Sequence, residues 1–189
     1  MMNQFQQVIT LQTERLILRQ WKDADFESFY QLNADPTVMQ YFPNCLNQSE
    51  SNALAEKFQA LIHENGWGFW AVELKKTGEF IGFVGLHDQP TQFSFSPCVE
   101  MGWRLAKQFW HQGYATEAAH ECLNFAFEQL ALEHVVAFTA ELNTPSQKVM
   151  QRLNMQWVTE FSHPKLEANH PLAQHCLYKI SQQDHKKKS

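Results

Sequence analysis

A chain of 189 residues, 44% of them hydrophobic, has the length of one domain and enough apolar side chains to bury a sizeable core. Its 15 Lys and Arg against 20 Asp and Glu leave a net charge of −5, which gives no general basic surface and argues against nucleic acid as a partner. No run of about eighteen apolar residues occurs, and Met1-Met2-Asn3-Gln4 is not a basic lead into an apolar core, so neither membrane nor secretory leader is expected and the reading is cytoplasmic.

In chain order, Arg15 to Trp21 has the apolar, extended pattern of a first strand. Asp23 offers an N-cap before Phe26, Phe29, Tyr30 and Leu32, which share one helical face. Asp35-Pro36 interrupts that helix, because a residue before proline avoids the helical region, and a short turn through Val38, Met39 and Phe42 follows. Asn47 to Asn65 repeats its apolar residues at helical spacing. Trp67 to Leu74 and Glu79 to Leu86 are strands joined through Lys75-Lys76-Thr77-Gly78, a hairpin signal. Cys98 to Leu105 is a further strand, and the small and apolar residues from Ala115 to Leu130 mark the buried face of a long helix. Val135 to Ala140 follows as a strand parallel to its predecessor by the strand, helix, strand rule.

At Asn143-Thr144-Pro145-Ser146-Gln147 a helix start is specified, with Thr144 as cap, Pro145 at the first position and Gln147 completing a capping box. Asn154 ends this helix in the left-handed region. Val158 to Phe161 and His175 to Ile180 supply the last strands, and residues from about 183 to 189 read as a solvated, flexible tail of a single domain spanning 1–189. Cys45, Cys98, Cys122 and Cys176 form no C-x-x-C pair, so reduced thiols are expected.

The stretch Trp110-His111-Gln112-Gly113-Tyr114-Ala115-Thr116-Glu117-Ala118 places a glycine turn between a strand and a helix. The first N–H groups of a helix lack intrahelical partners and carry the positive end of the dipole, so such a turn is an anion site. With Val99 to Leu105 before it and Asn143-Thr144-Pro145-Ser146 after it, this turn resembles the GNAT superfamily of acyl-CoA-dependent N-acetyltransferases. An aromatic at Trp110, in place of the superfamily's Gln or Arg, makes the chain most similar to the ribosomal-protein alanine acetyltransferase (RimJ/RimL-like) branch. The likeness runs from Thr13-Glu14-Arg15-Leu16 to His175-Cys176-Leu177-Tyr178, nearly the whole chain.

The resemblance implies an α/β GNAT fold, with a mixed, mostly antiparallel central sheet of about six or seven strands flanked by helices. It implies that the strand matching Val99 to Leu105 splays from that matching Val135 to Ala140 to admit acetyl-CoA. The backbone of Met101, Gly102, Trp103 and Leu105 would then face the pantetheine, and the turn from Trp110 through His111, Gln112, Gly113, Tyr114 and Ala115 to Thr116 would hold the pyrophosphate. Asn143 and Ser146 would lie by the pantetheine and the thioester sulfur, although helix capping alone also explains them. A homodimer is carried by the resemblance alone.

Acetyl transfer needs a neutral amine, and amines titrate near ~8 to ~10, so a proton acceptor is required. Glu100, on the cofactor strand, is the candidate base; the alternative is an exposed or salt-bridged strand glutamate. Ser146 is the candidate to stabilise or protonate the leaving thiolate. Tyr114 and Tyr178 match no acid position. His163, His170 and His175 have no metal-ligand spacing, so no metal is expected. Trp21, Tyr41, Phe42, Trp67, Phe69 and Trp70 are candidates for a cleft wall, most of them equally for the core, and Asp88 joins Glu100 as an attractor of a cationic amine. The expected activity is direct transfer of acetyl from acetyl-CoA to a primary amine of a protein N-terminus or small molecule. The rivals are a catalytically silent acyl-CoA sensor and an oligomeric structural protein.

Overall fold

Leu16 and Leu18 are wholly buried while Ile17 and Arg19 between and after them are not, which fixes the inward face of the first long strand. A computed structural model describes residues 7–187; the segment Met1 to Gln4 and the last two positions of the expected tail lie outside them. The elements are β1 Leu11–Gln12, β2 Leu16–Arg19, α1 Asp25–Ala34, α2 Pro36–Met39, α3 Gln48–Asn65, β3 Phe69–Leu74 and β4 Phe80–Gln89. They continue with β5 Cys98–Leu105, α4 Tyr114–Glu128, β6 His134–Ala140, α5 Thr144–Arg152, β7 Gln156–Ser162, β8 Gln174–Ser181 and α6 Gln182–Lys186.

One sheet of eight strands runs in the order β1-β2-β3-β4-β5-β6-β8-β7, mixed and mostly antiparallel, with β5–β6 as its parallel pair. The count exceeds the expected six or seven because the two-residue β1, too short to register as a pattern, pairs with β2. Helices cover both faces. On one, α1 and α3 meet the sheet through an aromatic cluster in which Trp21, Phe29, Phe58, Phe69 and Phe83 lie with ring centroids 4.8–6.4 Å apart. On the other, Ala118, Ala119, Cys122, Leu123 and Ala126 of α4 are fully buried, and Phe125 meets Trp70 edge to face.

Three local expectations need correction. Asp23 does not cap α1: the residue at the cap is Ala24, in helical conformation, while the Asp25 carboxylate accepts from the Lys22 N–H and from Arg19. Thr144 does not cap α5 either, because Asn143 does, accepting the Ser146 N–H. Gln147 forms no capping box; its amide donates to the Glu141 carbonyl and accepts from the Tyr178 hydroxyl. The tail expected from 183 onward is helical through Lys186, capped by Ser181, with His185 buried. Asn154 does take positive φ (61°) after α5. α3 opens on a full capping box between Asn47 and Glu50.

Candidate active site

The site begins where two neighbouring strands part. β4 follows β5 along its length, from Gly82↔Leu105 to Gln89↔Cys98, whereas β6 registers with β5 at Glu100↔Val136 alone. β6 is instead held by β8 over seven residue pairs, from His134↔Ser181 to Ala140↔His175. Past Glu100 the strand edge from Met101 to Leu105 is therefore unpaired on the β6 side, and it is open to an amide-bearing chain lying along it. Each splayed strand runs on into a helix N-terminus, β5 to α4 and β6 to α5. Both helix starts thus stand at the carboxyl ends of strands flanking a switch point, a position that α/β sheets use for ligands.

At the α4 start, Gly113 takes φ 84° and the residue before the turn's centre, His111, takes φ 61°. Glu117 N–H makes the first intrahelical bond, to the Gly113 carbonyl, so the N–H groups of Tyr114, Ala115 and Thr116 remain for an anion. The Trp110 indole N–H donates to the Leu105 carbonyl at 2.8 Å, tying the turn to the strand end. Gln112 likewise returns its amide to the Gln108 carbonyl.

A second tie was not legible in the sequence. The Glu117 carboxylate accepts from the Thr13 hydroxyl, the Arg15 N–H and the Arg15 guanidinium (Nε 2.6 Å, Nη2 2.6 Å), joining the first turn of α4 to the β1–β2 edge. Burial opposes its ionisation, but these donors outweigh burial and hold the carboxyl below its ordinary range. Arg15 also lies 4.4 Å over the Tyr114 ring, and its Nη2 stands 3.5 Å from where a Cβ on Gly113 would sit. An N–H-rich turn, a bare glycine and an adjacent guanidinium fit a pyrophosphate, and the open strand edge fits a pantetheine arm.

At the α5 start, Asn143 is buried and its side-chain amide donates to Thr139 Oγ1 (2.8 Å) and Ser146 Oγ (3.0 Å). Asn143 also acts as the helix cap. By using the Ser146 oxygen as an acceptor, Asn143 leaves the hydroxyl proton to be donated elsewhere.

Glu100 lies at the strands' point of contact and in the wall of a pocket of about 250 Å³ on the α1–α3 face of the sheet. Phe58 and Phe69 form one side, with Phe93 and Phe138 on the other; Gln89, His87 and His163 complete the interior, and Lys57, Gln92 and Lys165 stand at its margin. The pocket reaches from β5 across to β6, so it abuts the splay. Glu100 accepts one hydrogen bond, from Gln89 Nε2 at 2.7 Å, and burial pushes its carboxyl up to about 7. That excludes an exposed or salt-bridged glutamate. A Cβ on Gly102 would come within 3.0 Å of the Phe69 ring, so the glycine is what lets that ring lie over the strand beside Glu100.

His87, opposite Glu100 on β4, stacks on Phe69 at 5.6 Å and leaves Nδ1 without a partner. Burial lowers its pKa, as does Lys57. His163 is pushed down to about 4, mainly by burial, and stands 4.8 Å from the His175 ring. His170 is engaged otherwise, accepting the Leu172 N–H, and no group of three metal-ligating side chains converges among the described residues. Asp88 alternates to the other side of β4 and does not line the pocket. Trp21 and Trp70 belong to the core, their indoles donating to the Phe69 and Ile9 carbonyls. The Tyr178 hydroxyl is committed to Gln147, away from Glu100.

The Acetyltransferase (GNAT) domain family model matches residues 15–156, and the chain belongs to that family. It is 31% identical over 150 residues to the Bacillus subtilis protein YkkB, covering 78% of this chain and 85% of that one. It is 32% identical over 159 residues to the Aspergillus fumigatus FsC-acetyl coenzyme A-N(2)-transacetylase, covering 80% and 67% respectively. The crystal structure of an acetyltransferase from Agrobacterium tumefaciens superposes with a TM-score of 0.76 at 28% identity, over 96% of this chain and 99% of that one. The chain is thus an acetyltransferase with the GNAT fold, a family that uses acetyl-CoA and an acceptor substrate.

Proposed function

We propose that this chain is a single-domain N-acetyltransferase that moves acetyl from acetyl-CoA directly to a primary amine in a ternary complex, with Glu100 as the base. The observation that supports this best is the position of Glu100: a carboxyl raised to about 7, at the point where β5 and β6 part, between the open strand edge and an open, aromatic-lined pocket. A base titrating near neutrality is matched to an α-amino group near ~8. Acetyl-CoA supplies a thioester carbonyl. The amine nitrogen forms the C–N bond to that carbonyl as the C–S bond breaks, the amine proton passes to Glu100, and the Ser146 hydroxyl supplies a hydrogen bond or proton to the departing sulfur.

The three buried thiols offer no covalent route, and Cys45, which is exposed, does not line the pocket. Cys98, Cys122 and Cys176 are buried, which pushes each up from its ordinary range, Cys98 to about 11. Pyrophosphate is assigned to the backbone from His111 to Thr116, and pantetheine to the edge from Met101 to Leu105. The aromatic Trp110 and the Asn143-Thr144-Pro145-Ser146 start support placement in the ribosomal-protein alanine acetyltransferase branch, with a peptide α-amine among the acceptors. The test is release of coenzyme A thiol from acetyl-CoA across a panel of amines. Acceptor-dependent release supports the transferase; acetyl-CoA binding with no release from any amine supports the sensor reading.

A further inference from the structure

Resting on the acetyltransferase reading, we infer that the acceptor is a zwitterion in outline: an amine, an apolar body, and an anionic group that Lys57 and Lys165 receive at the pocket margin. Three observations carry this. First, size: the pocket opens to solvent and holds about 250 Å³, short of the ~300–1,000 Å³ of sites that enclose drug-sized ligands, so a residue-sized fragment fits within it while a remote group reaches the margin. Second, lining: Phe58, Phe69, Phe93 and Phe138 are contributed by α3, β3, the β4–β5 loop and β6, and they present ring surface on opposite sides of that volume. An apolar or aromatic body buries against these rings.

Third, charge. Glu100 is the single carboxylate in the lining, against two lysines from distant segments, α3 and the β7–β8 loop. Neither Lys57 nor Lys165 has a salt bridge among the described residues, yet both are felt inside the pocket, Lys57 at His87 and Lys165 at Glu100, His87 and His163. Asp88, behind β4, is the acidic group acting on His87. With His87 and His163 neutral, the cationic groups of the lining are Lys57 and Lys165, both exposed at its margin. A polyamine or aminoglycoside would place a second ammonium against those lysines, whereas a carboxylate or phosphate some ångströms from the reacting amine completes them.

The test is acetyl transfer to 4-(aminomethyl)benzoate against its neutral isostere 4-(aminomethyl)benzamide and against spermidine, with acetyl-CoA affinity measured alongside. A second pair, the peptides Phe-Asp-amide and Phe-Asn-amide, separates a peptide N-terminus from a free small molecule as the source of the same chemistry. The anionic member of at least one pair is expected to have a kcat/KM about tenfold higher than its neutral isostere, with spermidine the poorest acceptor. In the double variant Lys57→Glu, Lys165→Glu, both substitutions exposed, the ratio within that pair is expected to invert. Equal rates within both pairs, a preference for spermidine, or a ratio unmoved by the double variant would each overturn the inference. Failure of the unaltered protein to bind acetyl-CoA would overturn the transferase reading along with it.

Discussion

The two ends of this site are built from different materials. The end proposed for pyrophosphate consists of backbone: free N–H groups of an α4 first turn that Gly113 opens, tied down by Trp110 and by the Glu117–Arg15 pair. The end proposed for the acceptor consists of side chains brought together from α3, β3, β4, β5, β6 and two loops, with one carboxyl raised by burial to about 7. Backbone donors recognise a group common to every acyl-CoA, and they tolerate little change in local sequence. Side chains select an acceptor, and can be exchanged one at a time.

The sharpest way to break the backbone end is Gly113→Glu. A residue with a Cβ is strained at φ 84°, and a carboxylate there opposes the bound pyrophosphate, so acetyl-CoA affinity is expected to fall by at least about 100-fold, read by calorimetry. At the side-chain end, Glu100→Gln is expected to lower kcat by about 10²–10⁴ and to remove an acid limb of the pH–rate profile that is expected near pH 7 in the unaltered protein.

The same substitution has a consequence for stability. Folding raises the Glu100 pKa from 4.5 to about 7, so across that window the folded state holds a proton that the unfolded state has released. Stability contributed at this site is therefore complete below about pH 4.5 and falls as pH rises through 7. Urea midpoints at pH 5 and pH 8 should show Glu100→Gln flattening that fall, by up to about 3 kcal/mol.

Ser146→Ala is expected to reduce kcat about tenfold with the helix intact, since Asn143 still caps α5 through the backbone N–H at that position. Smallest of all, Glu117→Gln is expected to weaken acetyl-CoA binding a few-fold, because it loosens the tie to Thr13 and Arg15 without touching the donors themselves.

This division also explains what the sequence made legible. Gly113, Pro145 and Asn154 announce turns and helix starts because their backbone requirements are local, and the turn, the strands and the parallel β5–β6 pair follow from them. Glu100 was legible as a candidate by its place on the strand, but its titration near neutrality arises from burial that no local pattern encodes. Lys57, His87, Phe138 and Lys165 carry no motif at all; only folding brings them within one pocket. The caps failed for different reasons: Asn143 reaches the Ser146 N–H in place of Thr144, and α1 opens on Ala24 with no side-chain cap while the Asp25 carboxylate is engaged by Arg19. The bond from the Trp110 indole to the Leu105 carbonyl likewise joins groups that no local pattern pairs.

The measurement that bears most directly on this account is calorimetric titration of acetyl-CoA into the unaltered protein, Gly113→Glu and Glu100→Gln under one set of conditions. If backbone holds the acetyl-CoA and side chains act on the acceptor, Glu100→Gln binds within about twofold of the unaltered protein and Gly113→Glu shows no saturable heat. Equal binding by all three, or loss of binding in Glu100→Gln alone, would contradict it.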